Sequence, residues 1–432
     1  MERCEFVCEG YRFAPETGTL SLTYAFDDGP RFEERIVFPT ASRILPESES
    51  VALDRVFRLL LLACGVSYYK AFAPERVRCA AFPLDPATAA FFNDFYKKGL
   101  GEFAWRNGID LSRLNLVVEP IEPPAPLRLE LPRLTCVPVG GGKDSIVTVE
   151  CLKQAGEPLV LFELGNAGPI EATIAQTGLP AIRVTRELDP TLFALNEAGA
   201  LNGHVPITGI LSMIVLACAI IHGFDAIAMS NEHSASAPNI ADVNHQYSKS
   251  FEFEHAFGRF LERHVVEGVR YFSLLRPLSE VAIARRFARH TDYLPVFRSC
   301  NTAFRQSPER RGTNWCCDCP KCRFVFLALA PFVPRQRLIA TFGRDLLDDA
   351  AQIDGFAELC GLQRHKPFEC VGEIEESATV LAHLANLADW RDDVVVRALA
   401  PRLQAGDFAA LFALRGPHLV PERYVAMLDA CG

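Results

Sequence analysis

Asp144 and Ser145 follow three glycines between two apolar runs in "TCVPVGGGKDSIVTV", Thr135 to Val149. A strand, a tight glycine turn and a helix start in that order aim several backbone N–H groups at one point, and the helix dipole reinforces them. The stretch Gly140, Gly141, Gly142, Lys143, Asp144, Ser145 therefore reads as an anion-binding loop, with Lys143 able to offset phosphate charge as a point cation. Two familiar nucleotide motifs fail. Walker A needs Gly-x-x-x-x-Gly-Lys followed by Ser or Thr, whereas Asp144 follows Gly142-Lys143 and Val137 occupies the first glycine's place. The dinucleotide fingerprint lacks its third glycine and a downstream ribose-binding acid. A plain strand-to-helix turn is the alternative.

A second constellation is Cys316, Cys319 and Cys322, spaced Cys-x-x-Cys-x-x-Cys, with Cys317 between them and Cys300 upstream. Four thiolates from a short knuckle and one distant partner suit a tetrahedral Zn²⁺ that is structural, because no coordination position stays open. Reduced core thiols are the other reading, one that fits isolated cysteines such as Cys64, Cys151 and Cys218, and an iron–sulfur cluster is a third. Acid–base candidates lie in "SNEHSAS", where Glu232 and His233 would work as base or metal ligand unless they are solvated loop polarity. They lie also in "HKPFECVGEIEES", where Cys370 becomes a suitable carbon base if Lys366 or His365 lowers its pKa. Glu375 and Glu376 read there as a solvated acidic helix start, and His204 reads equally as a helix-entry contact or a catalytic group.

These residues need elements to hold them. From Leu134 onward, short apolar runs ("CVPV", "PLVLFEL", "AIRV", "AIAMS") alternate with helical patterns, which predicts an α/β, doubly wound, mostly parallel sheet with ligands at the strands' carboxyl ends. Residues 1–125 carry alternating segments such as "TLSLTYAF" and "ERIVF", then a helix over Ser50 to Ala63, and read as a separate mixed α/β domain. The Pro-rich Glu119 to Pro132 reads as a linker that resists helix and sheet pairing, the nucleotide domain as 133–338, and 339–432 as a helical appendage or lid.

Composition narrows the partners. The 432 residues carry a formal net charge of −9 without a Lys/Arg block, so a nucleic-acid partner lacks its electrostatic footprint. The opening "MERCEFVCEGYRF" has no signal-peptide pattern, and Ile207 to Ile221 is too short to span a bilayer, so a cytoplasmic protein with a buried core helix is expected. Fifteen cysteines there argue for thiols, not a disulfide framework.

"GGGKDS" resembles the PP-loop, Ser-Gly-Gly-x-Asp-Ser, of the ATP pyrophosphatases, with Gly141, Gly142, Asp144 and Ser145 matching and Gly140 standing where that family has serine. The resemblance implies ATP, with the loop amides and Ser145 on pyrophosphate, Asp144 on Mg²⁺, and Asn166 and Glu163 near adenine and ribose. "GHVPITGILSMIVLACAIIHGFDAIAMSNE", "LRPLSEVAIARR", "FRSCN" and the four-cysteine spacing resemble the PP-loop enzymes that form 7-cyano-7-deazaguanine. As a whole, through "PVGGGKDSIVT", "SNEHSAS", "NWCCDCPKCRFVFLALAPF" and "HKPFECVGEIEES", the chain resembles the MurL family. That family inverts the terminal glutamate of UDP-N-acetylmuramoyl-L-alanyl-L-glutamate in peptidoglycan precursor synthesis. The resemblance implies an ATP-dependent isomerase in which adenylation of a carboxylate makes the α-hydrogen removable. Two alternatives stay open, an ATP-dependent ligase or synthase on a nucleobase-like acid and a non-catalytic ATP-binding sensor.

Overall fold

A computed structural model describes residues 5–41, 43–240, 243–304, 312, 314–363, 367–404 and 406–430. The strands of its main sheet are β1 (Glu5–Ala14), β2 (Thr19–Phe26), β3 (Arg31–Val37), β4 (Arg76–Cys79), β5 (Asn115–Leu116), β6 (Thr135–Pro138), β7 (Leu159–Leu164), β8 (Ala181–Glu187), β9 (Ala226–Met229) and β10 (Arg270–Ser273). Their spatial order is β10-β9-β6-β7-β8-β3-β2-β1-β4-β5. The β10 to β8 half is wholly parallel, while β3 joins β8, β2 joins β3 and β1 joins β2 antiparallel. This is a mixed α/β fold with a large, mostly parallel sheet.

The expected N-terminal segment and the following α/β segment thus share one hydrogen-bonded sheet, with Val37 set against Thr185 across the join. The Pro-rich stretch is also less passive than expected. Leu127–Arg128 pairs in parallel with Val266–Glu267, because these two residues keep their amides between Pro126 and Pro132.

Strand sequences alternate between two cores, as the period of two requires. Cys136, Val160, Phe162 and Ile227 join a core on one face with α1 (Glu47–Cys64) and, further along, the apolar helix Ile207–His222. Val137, Leu159, Leu161, Ala226 and Ala228 join the other, under the helix Lys143–Gln154 and the C-terminal helices. We number the helices used below α2 (Lys143–Gln154), α3 (Pro190–Glu197), α4 (Ile207–His222), α5 (Glu280–Phe287), α6 (Pro320–Leu329) and α7 (Ile374–Leu384). No helix among the described residues is long and apolar enough to cross a membrane.

Chain order reverses between β6 and β9: β7 and β8 are laid down on one side of β6 and β9 on the other. Such a switch point opens a crevice at the carboxyl ends of the strands. Its floor is pinned by Arg276, 1% exposed, whose Nε donates to Glu254 Oε2 at 2.9 Å and whose Nη1 donates to the Glu232 carbonyl at 2.5 Å. Its Nη2 donates to the Lys249 carbonyl. Arg276→Ala would strand the Glu254 carboxylate, and removing one member of a buried pair costs about 3–5 kcal/mol. Chemical denaturation should register a loss of that size, with a smaller one for Glu254→Gln.

Candidate functional site

The crevice holds a cavity of about 540 Å³. The glycine loop forms one wall. Gly141 has φ +76°, a conformation that favours glycine, and a Cβ at Gly142 would lie 2.7 Å from Ser299 Oγ, so the loop packs tightly on the 298–299 segment. The Arg298 amide also donates to the Gly141 carbonyl at 2.8 Å. A Cβ at Gly140 meets nothing within 4 Å, so the position where the resembled loop has serine is open. Asp144 and Ser145 open α2 and line the cavity.

Lys143 is turned inward, with its side chain shared between Asp144 and Glu280. Burial opposes its charge, yet the two carboxylates hold its pKa above the usual lysine value. The cations that face the cavity come from elsewhere in the chain: Arg298, Lys249 and Lys321. Arg298 Nε and Ser230 Oγ, both on the lining, are buried without a hydrogen-bond partner among the described residues. Orphaned polar atoms of this kind, beside loop amides at a helix start, fit an anionic ligand such as a nucleotide phosphate.

Cys370 lines the same cavity. Lys249 Nζ donates to its Sγ at 3.2 Å, and His245 hydrogen-bonds it from the other side. Burial alone would raise the thiol's pKa, but Lys249, the His245 hydrogen bond and the Lys321 charge outweigh burial and hold it at about 6. His245 in turn donates through Nδ1 to Glu102, which also accepts from Arg106 Nε at 2.5 Å. Burial opposes the imidazolium, yet Cys370 and Glu102 push its pKa up to about 9. A chain Arg106–Glu102–His245–Cys370–Lys249 therefore stabilises a thiolate facing the glycine loop. His204 sits beside it with its ring 4.3 Å from that of His245, and burial and the neighbouring His245 charge keep it neutral, with a pKa of about 4.

The other expected residues fall as follows. Glu232 lines the cavity, whereas His233 packs outside the lining, where a Cβ on Gly416 would touch its ring at 2.8 Å. Asn166 is exposed beyond β7 and off the lining, and Glu163 is buried at the end of that strand. Glu375 is exposed as expected, but Glu376 is not solvated. It is buried in a capping box with Glu373 at the start of α7 and accepts from the Glu280 amide at 2.8 Å, so the helix cap overrides its polarity. His365 and Lys366 lie outside the described residues.

Among the described residues, Cys300, Cys316, Cys319 and Cys322 place their sulfurs within 4.8 Å of one another. Separations of 3.7 Å for Cys316–Cys322 and 3.5 Å for Cys319–Cys322 are close to the edge, about 3.8 Å, of a tetrahedron with Zn–S bonds of about 2.3 Å. Cys317, at φ +58°, makes the knuckle's left-handed turn and points its thiol at the Phe342 carbonyl, so it is not part of the set.

Residues 2–274 match the MurL N-terminal domain, and residues 296–410 match the MurL C-terminal domain. The chain belongs to the MurL family. It is 44% identical over 417 residues to the UDP-N-acetyl-alpha-D-muramoyl-L-alanyl-L-glutamate epimerase of Xanthomonas oryzae pv. oryzae (strain MAFF 311018), covering 94% of this chain and 92% of that one. Proteins of the same name from Salinispora tropica (44% identical, covering 99% of this chain and 95% of that one) and Micromonospora sp. (43%, covering 98% and 97%) are similar over nearly the full length. Sequence reading missed Lys249, His245, Glu102 and Arg298. The first three have no motif around them, and Arg298 stood in plain view in "FRSCN" as a cation two positions before a candidate ligand.

The Cys370 environment is open to direct measurement. Thiolate absorbance or alkylation rate should titrate with a midpoint near pH 6. Because the Lys249 charge lowers that value, Lys249→Met should raise the midpoint by about one unit or more; an unmoved midpoint would remove Lys249 from the account.

Proposed function

We propose that the chain is an ATP- and Mg²⁺-dependent epimerase that inverts the terminal L-glutamate of UDP-MurNAc-L-Ala-L-Glu through a carboxylate adenylate. One observation carries the reading: a thiol held as thiolate opens into the same cavity as an anion-binding glycine loop. A free carboxylate resists loss of its α-proton because a dianion results. Joining AMP to that carboxylate, with pyrophosphate leaving, removes the charge and gives an acyl group that delocalises the carbanion.

The loop amides of Gly140 to Gly142 with Ser145 and Arg298 would receive the phosphates, and Asp144 and Glu232 would hold Mg²⁺, which supplies charge neutralisation at the transferring group. Cys370 then takes the α-proton as a base whose pKa lies near the working pH. His245 and Glu102 hold the thiol in that state. Return of a proton to the other face inverts the centre, and water releases AMP. The relatives' names support this substrate. The sensor alternative leaves the Cys370 thiolate without a task.

In D₂O the product should carry deuterium at the glutamate α-carbon, with AMP and pyrophosphate formed alongside and no deuterium incorporated when ATP is omitted. Mass spectrometry and chiral analysis of the peptide glutamate read both. Asp144→Ala should abolish exchange and pyrophosphate release together, whereas Cys370→Ser should cut exchange by about 10²–10⁴-fold and leave pyrophosphate release detectable. A product of changed composition would favour the ligase, and nucleotide bound but never cleaved would favour the sensor.

The four-cysteine cluster fits a structural Zn²⁺ that ties the 298–301 segment of the crevice to the start of α6. Elemental analysis of the purified protein should find about one zinc per chain. Cys319→Ser should lose the metal and about 3 kcal/mol or more of stability, because ligand bonds order such a knuckle. Metal-free protein with four freely reactive thiols would refute the site.

A further inference from the structure

A second cavity, about 400 Å³, opens at the carboxyl end of β8 on the same edge of the sheet. It adjoins the first. Ile207, the first residue of α4, lines the second cavity, and Thr208 lines the first. His204 lines it too, and its ring rests on His245, the hydrogen-bond partner of Cys370.

Three features of the lining are incompletely matched among the described residues. Lys70, 8% exposed, donates to Asn202 Oδ1 at 2.6 Å and the Gly203 carbonyl at 3.2 Å, both uncharged, and makes no ion pair among the described residues. The neighbouring Arg186 is neutralised by Glu34 at 2.7 and 3.1 Å, so the cavity keeps a net positive charge at Lys70. Burial first and Arg186 second hold the Lys70 ammonium down to about 8, the cost of a cation without a counter-ion. Phe193 on α3 leaves 42% of its surface exposed at the cavity mouth. Asn196, three residues on and so on the same helical face, has a buried side-chain oxygen with no partner.

A flat apolar ring, an amide edge and an unpaired cation are what a pyrimidine nucleoside diphosphate requires. The ring stacks on the base, the amide offers the acceptor and donor that a uracil edge complements, and the ammonium meets phosphate. We propose that this cavity binds the uridine diphosphate end of the substrate, with the base on Phe193 and Asn196 and the diphosphate on Lys70, while the glutamyl end enters the first cavity. The proposal rests on the epimerase reading for the identity of the substrate. The substrate is long enough to serve two neighbouring cavities, since from the glutamate α-carbon through alanine, the lactyl group and the hexose to phosphate is on the order of 15 Å in extended form. Placing the nucleotide there keeps the UDP diphosphate away from the glycine loop, which ATP needs.

The test is calorimetric titration of UDP into the full chain with the first cavity saturated by ADP. UDP should bind wild-type protein and should weaken about tenfold or more in Phe193→Ala and in Lys70→Gln, the scale of one stacking or phosphate contact, while ADP affinity, which also reports folding, stays as in wild type. The KM for the UDP-muramoyl dipeptide should rise by a similar factor in both variants, with the KM for ATP unmoved. Absence of UDP binding to wild type, or loss of ADP in place of UDP in the variants, overturns the proposal. UDP binding with this pattern in a protein that incorporates no α-deuterium would keep the site and reject the epimerase reading. Deuterium incorporation without UDP binding would do the reverse.

Discussion

The buried Arg276 guanidinium is the constraint on which the crevice depends. Its charge is balanced by Glu254, and its remaining donors are committed to the carbonyls of Glu232 and Lys249, one after β9 and one just before the helix Phe251–Phe260. A buried cation with a fixed planar set of donors tolerates little displacement of its acceptors. The backbone that carries Glu232 and the backbone that carries Lys249 are therefore set at a fixed separation across the switch point. Lys249 is then near enough to Cys370 to lower its pKa.

Charge around the cavity is arranged in two balanced groups. Lys143 lies between Asp144 and Glu280 behind the glycine loop, and burial pushes the Glu280 carboxyl's pKa up against the opposing pull of Lys143. At Cys370 the order is inverted, with a thiolate between two cations, Lys249 and His245, and Glu102 behind the second. A thiol in an apolar site would be a poor base at neutral pH, as the raised pKa values of buried Cys136 and Cys218 illustrate, each through desolvation. Cys370 differs from them in its charged neighbours and in lying half-buried on the cavity lining.

Much of the glycine-loop side of the cavity was legible in the sequence because it is local. The glycine loop, its helix and the βαβ rhythm are contiguous patterns, and "TLSLTYAF" was read to the residue as β2, Thr19–Phe26. The four-cysteine set was legible for the same reason, apart from the more distant Cys300. What escaped the reading is assembled across long separations. Glu102, His245 and Cys370 come from three segments whose meeting depends on β3 pairing with β8 and on the 367–370 segment folding back over residues 101–107, where Phe368 packs on Trp105 at 5.1 Å and beneath Arg106. No periodicity encodes that pairing. Glu376 was misread because its capping box looks, in one dimension, like any acidic helix start.

The continuous sheet gives the N-terminal segment a reason to exist. Were it a detached domain, Glu102 and Arg106 would approach His245 only when two bodies docked, and the thiolate would form intermittently. Pairing of β3 with β8 removes that freedom, so the helix Gly101–Asn107 presents Glu102 at a set distance from the crevice. The same join places Lys70 and Arg186 beside His204, on the far side of the imidazole pair from Cys370. One rigid edge therefore carries both the group that stabilises the Cys370 thiolate and the polar cavity next to it. A long substrate laid along that edge would be held at one end by residues of the N-terminal segment while its other end met the thiolate, which is how binding energy remote from the reacting carbon can be used to fix that carbon's position.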